Sequence, residues 1–216
     1  MAAEIKWQEL MGGVLAFVGA VTASATHEIK NELAVINEQG SLVQELLQMA
    51  ARGREVDPAR LEELIGRVLI RVARADGVVK RLNAFAHSAD LERQETDPAQ
   101  SLELIGKLFG RLAGLRGLTL ELAPTPAGLV LPALPVLFEQ VVWACLRGAA
   151  DVAAKGSTLR LGLTIEGDAA RLLVEGELAQ PPALPSAPLL TALRAEARVV
   201  EGRALSLRLP LAGAEG

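Results

Sequence analysis

The chain has 216 residues, a net charge of −4 and a pI near 5.4, so it lacks the basic surface expected of a protein that binds a nucleic-acid backbone. Only 3% of the residues are aromatic and none is Tyr, which argues against nucleic-acid binding by base stacking. Half of the residues are hydrophobic and the mean hydropathy is +0.30, which predicts a large buried core in one large or two small domains.

The first feature along the chain is an apolar run over residues 10–22, which has the composition of a signal peptide or of a packing helix. Glu4, Lys6 and Glu9 precede it in place of a positive cluster, and the run is shorter than the ~20 residues that span a bilayer. We therefore expect the first half of a long helix that packs against other helices, with no membrane insertion and a cytoplasmic location.

The segment Ser24–Ile36 places His27 in a helical pattern, with Glu28 beside it and Asn31 one turn further on. Apolar or small residues recur at alternating spacings of four and three, which predicts a packing stripe of Ile29, Leu33, Ile36, Gly40, Val43 and Leu47. His27 and Asn31 lie off this stripe and share one helix face, so we expect both side chains to point outward.

These three polar residues suit phosphoryl chemistry. A neutral imidazole is a nucleophile, and Glu28 could hold the tautomer of His27 that leaves one ring nitrogen free to attack or carry a phosphoryl group. Asn31 could orient a water molecule at an acyl phosphate on a docked partner. A solvated surface histidine is the alternative for a lone His, and the combined pattern favours phosphoryl chemistry.

The pattern resembles the phosphoacceptor box of the dimerising domain of bacterial two-component histidine kinases. His27, Glu28, Asn31 and Leu33 match the family's order, whereas Glu32 stands where the family commonly has Pro. The resemblance implies that His27 is the phosphorylated residue and that the chain forms a homodimer.

A second helix is predicted from Asp57-Pro58, an N-cap followed by Pro at the first helical position. Its apolar stripe comprises Leu61, Ile65, Val68, Val72, Ala75, Val79, Leu82 and Ala86. Residues 52–57 form a short turn, so the two helices make an antiparallel hairpin. One hairpin cannot fully bury two such stripes, which predicts a four-helix bundle of two copies.

The remaining histidine and the cysteine are predicted to be structural. His87 lies in the last turn of the second helix, where a cap or a helix-dipole contact is a simpler role than catalysis. Neither histidine has a His or Cys partner at metal-ligand spacing, so no metal site is expected. Cys145 has apolar neighbours, which predicts a buried thiol.

The charged, proline-terminated segment 91–98 predicts a linker between a phosphoacceptor hairpin of residues 1–90 and a second domain of residues 99–216. In the second domain the predicted helices span 99–115, 135–154 and 188–197, and the predicted strands span 118–122, 129–131, 158–165, 171–174, 198–201 and 205–209. Helices on one face of a mixed sheet would give an α/β sandwich, and the whole chain an α+β fold.

This order of elements resembles the ATP-binding domain that follows the dimerising domain in histidine kinases. The two positions where the family's helix supplies a magnesium-binding Asn hold Ala144 and Gly148 here. The adenine-binding loop would fall at residues 175–182, which keep one acid and one glycine but end in prolines, and the lid would shrink to 185–193. No Gly-rich turn remains to hold a triphosphate, so we expect that ATP binding is lost and that the chain carries no cofactor.

The sequence therefore predicts a histidine phosphotransfer protein that exchanges a phosphoryl group between His27 and the receiver aspartates of response regulators, with Mg²⁺ bound by the receiver. One alternative is a divergent sensor histidine kinase, or a subunit that a histidine kinase phosphorylates in trans, which would add a kinase to the partners. The other is a non-catalytic dimeric adaptor that binds response regulators. Nucleotide binding would distinguish the phosphotransfer protein from the divergent kinase. Phosphorylation of His27 would distinguish both of them from the adaptor.

Overall fold

The computed structural model describes residues 7–89 and 95–211, which contain five helices and five strands. In chain order these are α1 (Trp7–Ala51), α2 (Pro58–His87), α3 (Pro98–Leu115), β1 (Thr119–Leu122), α4 (Pro135–Ala150), β2 (Thr158–Glu166), β3 (Ala169–Glu175), α5 (Ala187–Ala192), β4 (Glu196–Val200) and β5 (Ala204–Pro210). Contacts divide the chain into a hairpin unit, Val21–Asn83, and a sheet unit, Met1–Ala20 with Ala84–Gly216.

The predicted long helix, turn and helix are confirmed. α1 is a single helix of 45 residues, and beyond its end Gly53 adopts φ +77°, a left-handed conformation that glycine tolerates. The Gly53 N–H donates to the Ala50 carbonyl at 2.9 Å and closes the last turn. The carboxylate of Asp57 then accepts a hydrogen bond from the Ala59 N–H at 3.0 Å, which caps α2.

Within the hairpin unit, α1 and α2 contact each other through polar as well as apolar side chains. Val78 of α2 is completely buried. Two ion pairs join the helices, one between Glu28 and Arg81 and one between Glu32 and Arg71. The seam between the helices is therefore partly charged at the level of His27 and Asn31.

The predicted apolar stripe of α1 lies beside this seam, one position along the chain from the residues that contact α2. Leu33 and Leu47 are 48% and 53% exposed, and Ile65 and Val72 of the α2 stripe are 49% and 48% exposed. One copy of the hairpin unit therefore leaves a large part of both predicted stripes uncovered.

The sheet unit contains a five-stranded mixed sheet in the order β1-β2-β3-β5-β4. β1 and β2 are parallel, and the other neighbouring strands are antiparallel. Alternate residues of the central strands are buried, namely Leu159, Leu161, Leu163, Leu172, Val174, Leu205, Leu207 and Leu209. Because side chains alternate across a strand, this set lines one face, where α4 contacts β2, β3 and β5. The predicted α+β class is confirmed.

Three predicted elements differ from the structure. The helix predicted over residues 188–197 ends at Ala192, and residues 196–197 belong to β4. Residues 129–131 form no strand, because Leu131 makes only an isolated bridge, in which its backbone exchanges two 2.9 Å hydrogen bonds with Thr96. α4 ends earlier than predicted, because the N–H of Ala154 donates to the carbonyl of Glu177 at 2.8 Å instead of continuing the helix. For residues 129–131 and for the segment after α4, the backbone hydrogen-bond partners come from distant parts of the chain, which a local apolar pattern does not specify.

Of the predicted linker, residues 91–98, the first half (91–94) lies outside the described residues. Its described end is held in place, because the Asp97 carboxylate accepts hydrogen bonds from the N–H groups of Ala99 and Gln100 and caps α3. The contact units differ from the predicted domains, since the beginning of α1 and the end of α2 belong to the sheet unit. The division into residues 1–90 and 99–216 stays a prediction.

An aromatic cluster attaches the beginning of α1 to the sheet unit. The ring of Phe17 lies 5.2 Å from Phe85 at the end of α2 and 5.8 Å from Trp143 of α4. Phe109 of α3 meets the other side of Trp143 at 5.1 Å with its ring nearly perpendicular, a favourable edge contact. The apolar run over residues 10–22 therefore packs against other helices, as predicted, through Phe17.

In the described part of the chain, α1 is the one helix that is long and apolar enough to cross a membrane, with an 18-residue window of mean hydropathy 1.4. A packed core helix or a signal sequence meets the same criterion. Because Leu10 and Phe17 are buried against the protein, the criterion is weak evidence for a membrane span. The expected lack of membrane insertion stays a prediction.

Candidate functional site

His27 and Asn31 lie one turn apart on α1, and both side chains are exposed. Glu28 is half-buried and contacts α2 through Arg81. Consecutive side chains on a helix point about 100° apart. The box therefore presents an imidazole and a carboxamide outward and a carboxylate toward the second helix, and the roles assigned to these three residues stay predictions.

Glu28 is part of an ion pair between the two helices. Its Oε1 lies 3.4 Å from Nη2 of Arg81, and the two side chains are 32% and 27% exposed. The carboxylate is thus held by a cation in a partly desolvated position. Arg81 was not singled out by the sequence patterns, because periodicity does not specify which residue of α2 stands opposite Glu28.

Glu32, at the position where histidine kinases commonly have Pro, also forms an ion pair with α2. Its Oε2 lies 3.2 Å from Nη1 of Arg71, and its side chain is only 14% exposed. A proline here would remove a helical N–H, whereas glutamate keeps this N–H within α1 and adds a contact with α2. The departure from the family pattern therefore has a structural reason in this chain.

α4 is the helix that resembles the magnesium-binding helix of histidine kinases. At Gly148 its surface is covered by the backbone of a loop. A Cβ atom placed on Gly148 would lie 2.4 Å from the carbonyl oxygen of Ala183, so the backbone of the β3–α5 loop rests directly on the helix. Ala144, one turn earlier, is half-buried. Neither residue has a side chain that can bind a cation, and no larger side chain fits at Gly148 without moving backbone.

The β3–α5 loop, residues 176–186, is held in this position at several points. The N–H of Ala179 donates to the carbonyl of Val152 at 2.8 Å, and the carbonyl of Glu177 accepts from the segment after α4. Pro182 and Pro185 are buried. The segment where the family would bind adenine thus forms a fixed, proline-containing cover over α4.

A second polar site lies where the end of α2 meets α3 and α4. The side chain of Glu139 is buried and accepts hydrogen bonds from the hydroxyls of Ser88 at 2.5 Å and Ser101 at 3.4 Å. Burial raises the pKa of this carboxyl to about 7, although both hydroxyls act against the increase. A cavity of about 380 Å³ adjoins it, lined by Ala84, His87, Ser88, Glu95, Asp97, Gln100, Ser101, Leu104, Pro135 and Glu139.

His87 and Cys145 occupy the positions that the sequence suggests. His87 is the last residue of α2 and is exposed, and its structural or catalytic role stays a prediction. Cys145 is completely buried, as predicted, and burial raises the pKa of its thiol to about 12, which leaves it unreactive. Within residues 7–89 and 95–211, no group of three or more His, Cys, Asp or Glu side chains could hold a metal ion.

No family model and no curated protein matches the chain. The chain is similar to solved histidine kinases. A histidine kinase from Burkholderia phymatum STM815 is 16% identical, over 91% of this chain and 98% of that one, with a TM-score of 0.46. The histidine kinase AdeS of Acinetobacter baumannii is 16% identical over 81% and 96%, also at 0.46. The cytoplasmic segment of the histidine kinase QseC is 14% identical over 65% and 93%, at 0.43.

These three proteins carry the name of the family whose phosphoacceptor box the sequence resembles. At TM-scores below 0.5 and identities below 20%, the likenesses by themselves assign neither an activity nor a site. The functional interpretation therefore depends on the residues of the box and on the closed surface of α4.

Proposed function

We propose that the chain is a histidine phosphotransfer protein of a two-component phosphorelay, which carries a phosphoryl group on His27. The supporting observation is the position of the box, because His27 and Asn31 are exposed on one face of α1 while Glu28 makes the contact with α2. A protein that exchanges a phosphoryl group with another protein needs an exposed nucleophile on a rigid element.

The transfer step uses an acyl phosphate on a receiver-domain aspartate. The lone pair of the unprotonated ring nitrogen of His27 forms the N–P bond, and the P–O bond to the aspartate breaks and returns its electron pair to that carboxylate. Glu28 favours the tautomer with the proton on the other ring nitrogen and balances the positive charge that develops on the ring. The Mg²⁺ that neutralises the phosphoryl oxygens is bound by the receiver.

The sheet unit serves as a packing or docking element and not as a kinase. Ala144 and Gly148 lack cation-binding atoms, and the carbonyl of Ala183 occupies the space next to Gly148 where a longer side chain would extend. We therefore propose that ATP does not bind and that the chain does not phosphorylate itself. The phosphoryl group would arrive from a response regulator, and a histidine kinase is a further candidate donor.

We propose that the chain acts as a homodimer. Large apolar side chains of the hairpin unit are exposed, namely Leu33, Leu42, Leu47, Ile65, Leu69, Ile70, Val72 and Val79. An uncovered apolar surface of this extent is typical of an interface. A second copy would cover it in a four-helix bundle. A cytoplasmic location without nucleic-acid or membrane partners completes the proposal.

The test of this function compares two phosphoryl sources. The protein is incubated with a panel of phosphorylated receiver domains, and separately with radiolabelled Mg-ATP alone. We expect acid-labile, alkali-stable label on His27 from at least one receiver and none from ATP. Label from ATP alone would favour the divergent kinase, and receiver binding without any label would favour the adaptor.

A further inference from the structure

Arg81 is a cation with an unsatisfied hydrogen-bond donor next to the phosphoacceptor box. Its contact with Glu28 is 3.4 Å, which is long compared with the ~2.7–2.9 Å of a strong charge-assisted hydrogen bond. Among the described residues, its Nε is buried and has no hydrogen-bond partner. Arginine stays protonated at every physiological pH, so this site holds a permanent positive charge that the carboxylate only partly satisfies.

The guanidinium of Arg81 faces a glycine on its own helix. Gly77 lies one turn before Arg81 on the same side of α2, and a Cβ atom placed there would be 3.5 Å from Nη1 of Arg81. No side chain at this position confines the guanidinium. Because its hydrogen bond to Glu28 is long, a better acceptor nearby could replace it at small cost.

His27 would bring such an acceptor close. Its Cα is ~3.8 Å from that of Glu28, the residue that Arg81 already contacts. A phosphoryl group carries roughly −1.5 to −2 charge at pH 7 and several acceptor oxygens, more than a carboxylate offers. An arginine fork matches the geometry of phosphoryl oxygens.

We propose that Arg81 is the counter-ion of the phosphoryl group on His27, and that it exchanges Glu28 for phosphoryl oxygens once His27 is phosphorylated. This inference rests on the proposed phosphorylation of His27. Glu28, released from Arg81, then faces the positively charged phosphoimidazole ring. In the unphosphorylated protein, the ion pair with Glu28 thus holds the Arg81 guanidinium near the position of the proposed phosphoryl group.

The test uses phosphoramidate, a small donor that transfers its phosphoryl group to an imidazole nitrogen and releases ammonia. A His87→Gln background leaves His27 as the reporter, and ³¹P NMR follows the phosphoryl group through a pH titration. We expect the phosphoryl pKa to be lower by about 1 unit with Arg81 than in Arg81→Gln, because a cation within a few ångströms favours the dianion. Arg81→Lys should retain part of this shift.

Lys80→Gln is the matched control. Lys80 precedes Arg81, is 77% exposed and pairs with Asp76 on α2, so its removal is expected to leave the phosphoryl pKa unchanged. A second measurement needs no variant of Arg81, because the Nε–H resonance of Arg81 should shift when His27 is phosphorylated. A merely structural role for Arg81 would change stability without changing the phosphoryl pKa.

Equal phosphoryl pKa values with and without Arg81, or an Nε–H resonance that does not respond to phosphorylation, would overturn the proposal. Failure of phosphoramidate to label His27 would overturn it as well, because the ring would then be inaccessible. Phosphoramidate acts whether or not a receiver does. The receiver-domain experiment therefore tests phosphotransfer between proteins, and the phosphoramidate experiment tests the Arg81 contact separately.

Discussion

At the scale of single residues, the exposure of His27 predicts that a substitution there affects the proposed phosphoryl transfer without affecting folding. His27→Ala should abolish acceptance from a phosphorylated receiver and change the free energy of unfolding by no more than about 0.5 kcal/mol, because the side chain lies off the seam with α2. Transfer of label and urea unfolding measure the two effects. His87→Ala is the control and should transfer normally. Normal transfer in His27→Ala would leave the adaptor as the better account.

The two neighbours of His27 should have separable effects. Glu28→Ala should slow transfer by roughly 10²-fold without eliminating it, as expected for loss of an assisting carboxylate. Asn31→Ala should preserve the transfer rate and reduce hydrolysis of the partner's acyl phosphate, because Asn31 is predicted to orient water. Rapid-quench measurement of both reactions tests the assignment, and equal losses in the two variants would contradict it.

Gly148 should be intolerant of any side chain. In Gly148→Ala the new Cβ would lie 2.4 Å from the Ala183 carbonyl oxygen, so the loop must move and the free energy of unfolding should fall by about 1–3 kcal/mol. Gly110→Ala is the matched helical control, because a Cβ there meets nothing within 4 Å. It should be neutral or stabilising by up to about 1 kcal/mol. Thermal unfolding of both variants measures the difference, and equal stabilities would contradict the close contact.

At the residue scale, the sequence predicts what a residue can do better than what it contacts. The spacing of His27 and Asn31 correctly predicts a shared exposed face, because that property depends only on helix geometry. The sequence likewise shows that neither Ala144 nor Gly148 has a side chain that can bind a cation. The contact between Arg81 and Glu28 is not, because it depends on the relative rotation of two helices.

At the scale of the elements, Glu139 links the end of α2 to α3 and α4 in a pH-dependent way. Its pKa is raised from the usual 4.5 to about 7, so the folded state binds this proton more tightly than the unfolded state. Stability should therefore fall as the pH rises from about 4.5 to about 7 and then level off. The total loss attributable to Glu139 should be roughly 3 kcal/mol.

Glu139→Gln removes this titration while keeping an acceptor for Ser88. Urea unfolding between pH 4.5 and 8 should show wild type losing stability relative to Glu139→Gln over the stated range. Glu103→Gln, an exposed residue of α3 paired with Lys107, should follow wild type. Parallel pH profiles for wild type and Glu139→Gln would show that Glu139 titrates normally.

The elements that periodicity predicts well are those with a long, regular apolar spacing, whether or not one copy of the chain buries it. α1, α2 and the central strands β2, β3 and β5 are found where the apolar spacing places them. Residues 129–131 have the apolar character of a strand, but their partner is the single residue Thr96. The apolar spacing did not predict which residues of α1 contact α2. These contacts include the charged side chains of Glu28 and Glu32, which are not part of an apolar stripe.

For the whole molecule, the uncovered stripes of the hairpin unit predict the oligomeric state. Full-length protein at micromolar concentration should be a dimer by light scattering, because Val72 and its apolar neighbours would otherwise face water. Val72→Glu should shift the equilibrium toward monomer by introducing a charge into the interface. Leu184→Glu, at an apolar residue of the sheet unit that is 46% exposed, is the control and should remain dimeric. A stable wild-type monomer would refute the bundle.

The close contact at Gly148 also limits how the chain can change over time. An asparagine introduced at this position would enter space occupied by the carbonyl of Ala183, so a single substitution of Gly148 does not place a cation-binding side chain there without moving the loop. The loop would have to withdraw first, and withdrawal alone would uncover the buried Pro182 and Pro185 without adding any binding group. Each of these changes is unfavourable when taken by itself, so the contact between the loop and α4 opposes the stepwise introduction of a cation site at Gly148.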